Sequence, residues 1–174
     1  MSKQSNVIKK RIWVIRAGKK GDAHGLFMDQ NVVVLQHQQF GDLRKLPQKR
    51  SAFYKAYSSH HPEDGKVAIG GIGGKFYRFI HEIKVGDLVL YPCLRDKNIY
   101  HGKVTGEYFF DEESKNDFPH RRQIRWLGWF PKKALSEFPR RELGAARTLF
   151  EFKTNIIEIK KVISSQTQPM KSSK

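Results

Sequence analysis

The strongest constraint on the fold is a block of three strand-forming runs within residues 78–129. After what reads as a helix end, Val85, Leu88, Val89, Leu90 and Tyr91 form the first run. Val104, Tyr108 and Phe110 mark the second, and Ile124, Trp126 and Trp129 the third. β-Branched and aromatic side chains at this density suit a pleated, half-buried surface, so the block predicts the middle of a sheet. RDKN (95–98) has hairpin-turn composition and joins the first two runs. The second connection, DEESKNDFPH (111–120), is longer and acidic and holds one buriable aromatic, Phe118. Loops of that length are usually functional or disordered.

The rest of the chain supplies two earlier strands and several helices. A polar, basic leader occupies residues 1–10. RIWVIR (11–16) predicts a first strand, and AGKKGDAHG (17–25) a Gly-rich basic loop with Lys19 and Lys20 at its tip. NVVVLQ (31–36) is apolar throughout its centre, as a strand covered on both faces is. Asp42 is placed to cap a short turn, and Pro47 to start a helix on which Phe53, Tyr54 and Tyr57 fall at helical spacing. Residues 60–83 read as a loop that becomes a helix, with Phe76, Phe79, Ile80 and Ile83 on its apolar face. Beyond the block, Pro131 opens a short helix, PRREL (139–143) begins another, and RTLFEF (147–152) predicts a last strand. Asn155 and Glu158 have capping-box spacing for a helix through Ile163. The end, SSQTQPMKSSK (164–174), has linker composition and suits a module cut from a longer chain. The expected class is α+β: one domain over 11–163, built on a curved mixed sheet or small β-barrel surrounded by helices.

At 174 residues the chain buries roughly two-thirds of its unfolded surface, so no disulfide or metal staple is required. Its single cysteine, Cys93, excludes an intramolecular disulfide and a Cys-rich zinc site, and reads as a small apolar filler at a strand end in a reducing compartment. No apolar run reaches the roughly 20 residues of a membrane span, and MSKQSNVIKKR lacks the apolar core of a signal peptide. The expectation is a soluble, cytoplasmic protein with no membrane partner. Charge then matters: 33 Lys and Arg against 17 Asp and Glu leave +16. Such an excess on a small domain repels itself and suits a polyanionic partner such as nucleic acid. The tails do not account for it, because RRQIR and PRREL lie inside the predicted fold.

No catalytic or metal constellation stands out. His60 and His61 with Glu63 and Asp64 have ligand chemistry, but adjacent histidines point apart and the neighbours mark a solvated loop. A magnesium nuclease core fits only weakly, on Asp64 with Glu82 and Lys84, or on Asp96 with Glu113 and Lys115. Glu82 sits at a helix end and Glu113 in a polar loop, where that chemistry needs carboxylates fixed on a rigid strand. Gly70, Gly71, Gly73 and Gly74 precede Lys75, but Phe76 follows where a phosphate loop needs Ser or Thr, so they read as flexible backbone near a helix N-terminus. The sequence therefore predicts no catalytic residue, no metal and no cofactor. Aromatics interleaved with Arg and Lys are what base stacking and phosphate neutralisation require. Trp13, Trp126 and Phe79 are assigned to the core, and His37, Phe40 and Phe118, at element ends or in loops, are the pocket candidates.

Taken together, WVIRAGKKGD, QQFGDL, RFIHEIKVGDLVLYP, GKVTGEY and RWL resemble the PUA-like modules of the EVE and YTH type. The likeness is above all to the N-terminal recognition domains of Mrr-like, modification-dependent restriction endonucleases, and spans about residues 11–152. It implies a small curved barrel that flips a modified base into an aromatic-lined pocket. Carried over by position, the pocket takes Arg16, Ala17, Gly18 and Asp22 from the end of the first strand, His37 and Phe40 from the turn after the second, and Phe118 from the loop before the last. Relatives commonly have Trp where this chain has His37. The partner implied is double-stranded DNA carrying N6-methyladenine or a modified cytosine, read for a fused or associated nuclease. Lys19, Lys20, Lys75, Arg121, Arg122 and Arg125 are the expected phosphate contacts. An RNA-binding module of the same architecture and a magnesium nuclease are the alternatives.

Overall fold

A computed structural model describes residues 9–171. The expected leader lies outside that range apart from Lys9 and Lys10, as does the very end of the expected tail. Within that range six strands form one sheet: β1 (Ile12–Ile15), β2 (Val32–Leu35), β3 (Leu88–Pro92), β4 (Asn98–Phe110), β5 (His120–Pro131) and β6 (Leu149–Glu151), in the order β2-β5-β4-β3-β1-β6. β1 runs parallel to β3 and every other neighbouring pair is antiparallel, so the sheet is mixed. It is open, with β2 and β6 at its edges, and does not close into a barrel. Among the described residues five α-helices accompany it: α1 (His24–Asp29), α2 (Arg50–His60), α3 (Lys66–Tyr77), α4 (Glu137–Leu143) and α5 (Ile156–Gln166).

Strand alternation divides the core. Trp13 and Ile15 of β1 join Val89 and Tyr91 of β3 against Phe27 of α1, Phe53 of α2 and Phe76 of α3. Ile12 and Val14 face the other way and pack with Leu90, Ile99 and Phe130 against Leu143 of α4 and Ile159 of α5. Both faces of β1 are thus covered, and β2, although at the sheet's edge, has all four residues buried, in keeping with its apolar run. Asp87 anchors the entry to β1 and β3. Buried, it accepts from the Trp13 indole Nε1 (2.9 Å) and from the backbone N–H groups of Lys84 (2.9 Å) and Arg11 (3.1 Å). Two register shifts against β5 bend the long β4, one of them at Gly102, where an added Cβ would meet the Arg125 carbonyl at 2.7 Å.

Several local expectations give way to packing. His24–Asp29, expected to begin in loop, is helical and buries Phe27. α2 starts at Arg50 and not at Pro47. Gly70, Gly71, Gly73 and Gly74 lie inside α3 and not in a flexible approach to it. Gly73 has a steric reason: a Cβ there would sit 2.7 Å from Tyr54 Cδ1 and 3.2 Å from the Phe53 carbonyl carbon, so its absence lets α3 close on α2. α3 then continues into one wide turn, Arg78–Glu82. Asn155 makes no side-chain cap and adopts a left-handed conformation (φ 50°). Glu158 turns instead to Ser136 before α4, accepting from its backbone N (2.6 Å) and Oγ (2.7 Å). Residues 164–170, expected in a flexible tail, extend α5 to Gln166, pair Gln168 with Trp129 and place Met170 against the core. Among the described residues no helix is long and apolar enough to cross a membrane.

Candidate nucleic-acid interface

β1 and β2 have buried apolar centres and, though not paired in the sheet, both end at one cavity of about 420 Å³. Its walls come from Arg16, Gly18 and Lys19 after β1, Val34, Leu35 and Gln36 at the end of β2, Lys75 of α3, Phe118, and Ala146 and Thr148 before β6. The backbone after β1 is drawn tight: Arg16 N donates to Thr148 O (2.9 Å), Ala23 N to Ala17 O (3.0 Å), and Lys20 N to Asp22 Oδ1 (3.3 Å). Gly18, at φ +76°, sits where a Cβ would lie 2.4 Å from Asp22 Oδ1 and 3.3 Å from the Phe118 ring. Only glycine allows that approach, so the loop backbone faces the phenyl ring directly.

The 111–119 loop is held by Arg121. Its guanidinium pairs with Asp111 (2.9 Å) and donates to Gln30 Oε1 (3.1 Å), while its Nε donates to Phe118 O (3.1 Å). Phe118 N donates to Asn116 Oδ1 (3.1 Å), and the ring is only 7% exposed. Asp117, next to it, clamps the turn after β2 by accepting from the backbone of His37 (3.2 Å) and Gln38 (3.0 Å). One loop therefore positions both the cavity's aromatic wall and the turn beside it.

Three expected site residues converge here, Arg16, Gly18 and Phe118, joined by Lys19 and Lys75 from the expected phosphate contacts. Ala17 is buried and Asp22 serves the loop's own geometry; neither lines the cavity. His37 and Phe40 lie outside it as well, in an aromatic cluster over α2 and α3. Their rings are 5.6 Å apart, and Phe76 lies 5.6 Å from His37 and 5.1 Å from Phe40. Burial and the nearby Lys75 ammonium push the His37 pKa down to about 4, so the ring is neutral at physiological pH. His120 beneath it is likewise pushed down to about 4 by burial. It donates from Nε2 to His37 O (3.0 Å) and accepts the Tyr108 hydroxyl at Nδ1 (2.9 Å).

Two expected phosphate contacts are structural. Arg122 has 0% exposure and donates to the carbonyls of Phe79 (2.7 Å), Ile80 (2.9 Å) and Gly106 (3.2 Å). Arg121 is buried in the buckle just described. Arg125 is exposed but borders a separate shallow depression with Thr105 and Trp126, away from the cavity. The alternation of β5 held the missed signal. Ile124 and Trp126 point inward, so Arg122, two residues earlier, shares their face.

The positive surface instead runs along linked grooves through the cavity. Arg16 is shared with a depression bordered by Lys97 and Lys132, and those two also border an open groove of about 790 Å³ with Lys133, Arg140 and Arg141. On the other side, Lys75 and Thr148 are shared with a groove of about 640 Å³ bordered by Arg50, Arg78, Arg147 and Lys153. Of the carboxylates along this path, Glu82, Glu137 and Glu151 are each paired to Arg or Lys. Composition announced the charge excess, but the trench assembles it from chain segments far apart in sequence. Gln36 was legible as the polar residue closing an apolar strand.

The metal and nuclease candidates are dispersed. His61 pairs with Glu63 (3.5 Å), Asp64 accepts the Tyr57 hydroxyl, Glu82 meets Arg50, and Asp96 accepts from Tyr100 (2.7 Å). No group of three or more His, Cys, Asp or Glu among the described residues is placed to hold a metal.

Fold and site together define an α+β domain whose open mixed sheet presents a cation-lined cavity in a basic trench. The chain belongs to the DUF8426 family, a domain of unknown function, whose sequence pattern matches residues 13–153 and so runs from β1 through β6. No curated protein matches the chain.

Proposed function

We propose that the domain is a PUA-like reader of modified DNA, which draws one nucleotide out of the duplex into the cavity at the ends of β1 and β2. The observation that carries this reading is the basic trench running past both sides of a cavity of about 420 Å³, within the size range of small-ligand sites, roughly 300–1,000 Å³. Extruding a base costs a few kcal/mol, which stacking and edge hydrogen bonds must offset. Phe118 supplies an aromatic wall, the Gln36 amide both a donor and an acceptor, and the Gly18 backbone a close approach. Lys and Arg along the trench neutralise phosphates on either side of the extruded nucleotide. His37 and Phe40 brace the turn and do not cage the base. As the specificity module of a restriction system, the domain would work in the cytoplasm with a fused or associated nuclease.

Matched duplexes carrying N6-methyladenine, a modified cytosine or no modification, compared by fluorescence anisotropy at one salt concentration, test the reading. The expected result is at least a tenfold preference for one modified duplex and a steep loss of affinity with salt. Equal affinity for all of them overturns base reading, and structured RNA displacing modified DNA at equal salt reassigns the trench to RNA.

A further inference from the structure

The cavity holds two half-buried cations that have no counter-ion among the described residues. Arg16 is half-buried; its Nη2 reaches only the Leu143 carbonyl, at 3.4 Å, and its Nε is buried with no hydrogen-bond partner. Lys75 is half-buried on α3 and makes no hydrogen bond or ion pair among the described residues; its Nζ lies 5.3 Å from the Phe76 ring centroid. Burial holds its pKa down at about 8. Lys19 stands exposed beside them, and no carboxylate among the described residues lines the cavity. Arg50, Arg121 and Arg122, also buried or half-buried, each pair with a carboxylate (Glu82, Asp111 and Glu107), whereas half-buried Arg78 in the adjoining groove is, like Arg16, without an ion pair among the described residues. An unmatched cation out of water is costly, and a negative ligand group held between Arg16 and Lys75 offsets that cost for both at once. A neutral methyl group would find Phe118, Val34, Leu35 and Ala146 in the lining but would leave both cations unmatched.

Resting on the base-reading proposal, we propose that the group recognised in this cavity is an anion. It is either a carboxylate on the extruded base or a phosphate at a strand end, held between Arg16 and Lys75 with Phe118 against the ring. The geometry favours these over a methyl mark because both cations already border the same space as the phenyl wall and the Gln36 amide.

The test compares the affinities of the described protein and its Arg16→Gln and Lys75→Gln variants for four duplexes. These carry 5-carboxylcytosine, 5-methylcytosine, unmodified cytosine with a 5′-hydroxyl overhang, and the same with a 5′-phosphate overhang. The expected result is at least a tenfold preference for the carboxylated base over the methylated one, abolished in both variants. The same preference for the 5′-phosphate end instead upholds the anion site and assigns it to strand ends, at the expense of base reading. A preference for 5-methylcytosine that survives Lys75→Gln overturns the anion site and leaves base reading intact. Equal affinity for all four overturns both. Stability gives an independent readout: removing an uncompensated cation keeps or raises the urea midpoint of Lys75→Gln, and a marked fall contradicts the premise that Lys75 lacks an internal partner.

Discussion

Replacing Arg122 with methionine separates a structural arginine from a DNA contact. Methionine keeps an unbranched apolar stem and deletes the guanidinium, which donates to three carbonyls at 2.7, 2.9 and 3.2 Å. Two of them, on Phe79 and Ile80, belong to the wide turn that ends the α3 helix, where carbonyls run out of helical partners and a cation is favoured. Each charged hydrogen bond contributes about 1.5–3 kcal/mol, and the relief of no longer burying a charge offsets part of the sum. The net loss from breaking such a buried group is about 3–5 kcal/mol. With a urea m-value of about 2 kcal/mol/M, the midpoint falls by roughly 2 M. The assay is urea unfolding followed by tryptophan fluorescence, paired with DNA affinity measured over a salt series on the folded variant. Arg122→Met should lower the midpoint and leave the salt slope alone, while Arg140→Gln in the open groove should lower the slope by about 0.9 per phosphate contact and leave the midpoint alone. An unchanged midpoint with a reduced slope for Arg122→Met refutes the reasoning, because the side chain would then face the phosphates.

Three further outcomes follow from the packing. Asp87→Ala strips the acceptor from the Trp13 indole and two backbone N–H groups, and should cost about 3 kcal/mol or more, read as a drop in thermal midpoint. Gly73→Val should destabilise by about 1–3 kcal/mol through its clash with α2, whereas Gly70→Ala, where nothing lies within 4 Å, should stabilise by about 0.5–1 kcal/mol. Equal effects at the two glycines contradict the α2–α3 contact. Acid should weaken the fold: His120 titrates near 4 when folded against 6.5 when unfolded, so the unfolded chain binds the extra proton between those values. Stability present above pH 6.5 is therefore lost as pH falls towards 4, by roughly 3 kcal/mol from this group. Urea midpoints that stay flat between pH 7 and pH 4.5 contradict it.

The strands were legible because side-chain alternation and β-branched density are local signals, and β3, β4 and β5 fall where those signals put them. Closure was not legible, since nothing local states whether β2 and β6 meet. The glycines of α3 carry low helix propensity and read as loop until α2 packs against Gly73. Glu158 kept its capping chemistry but found Ser136, far away in sequence, because the tertiary fold brings α4 and α5 together. In the candidate site, Arg16, Gly18 and Phe118 border one cavity, while His37 and Phe40, expected beside them, lie outside it. The difference is a matter of direction: Gln36 turns into the cavity, and His37, at φ +83°, turns onto the helices. Charge count alone made Arg121 and Arg122 look like phosphate contacts; only burial separates a cation that faces solvent from one that fastens a loop.

The central claim is that one nucleotide leaves the duplex for the cavity beside Phe118. Placing 2-aminopurine next to the modified base and recording its fluorescence on titration with protein tests it directly, because that probe brightens when its neighbour unstacks. The account predicts a saturable rise with the described protein and a much smaller one with Phe118→Ala at the same occupancy. A saturated complex whose fluorescence does not change contradicts it.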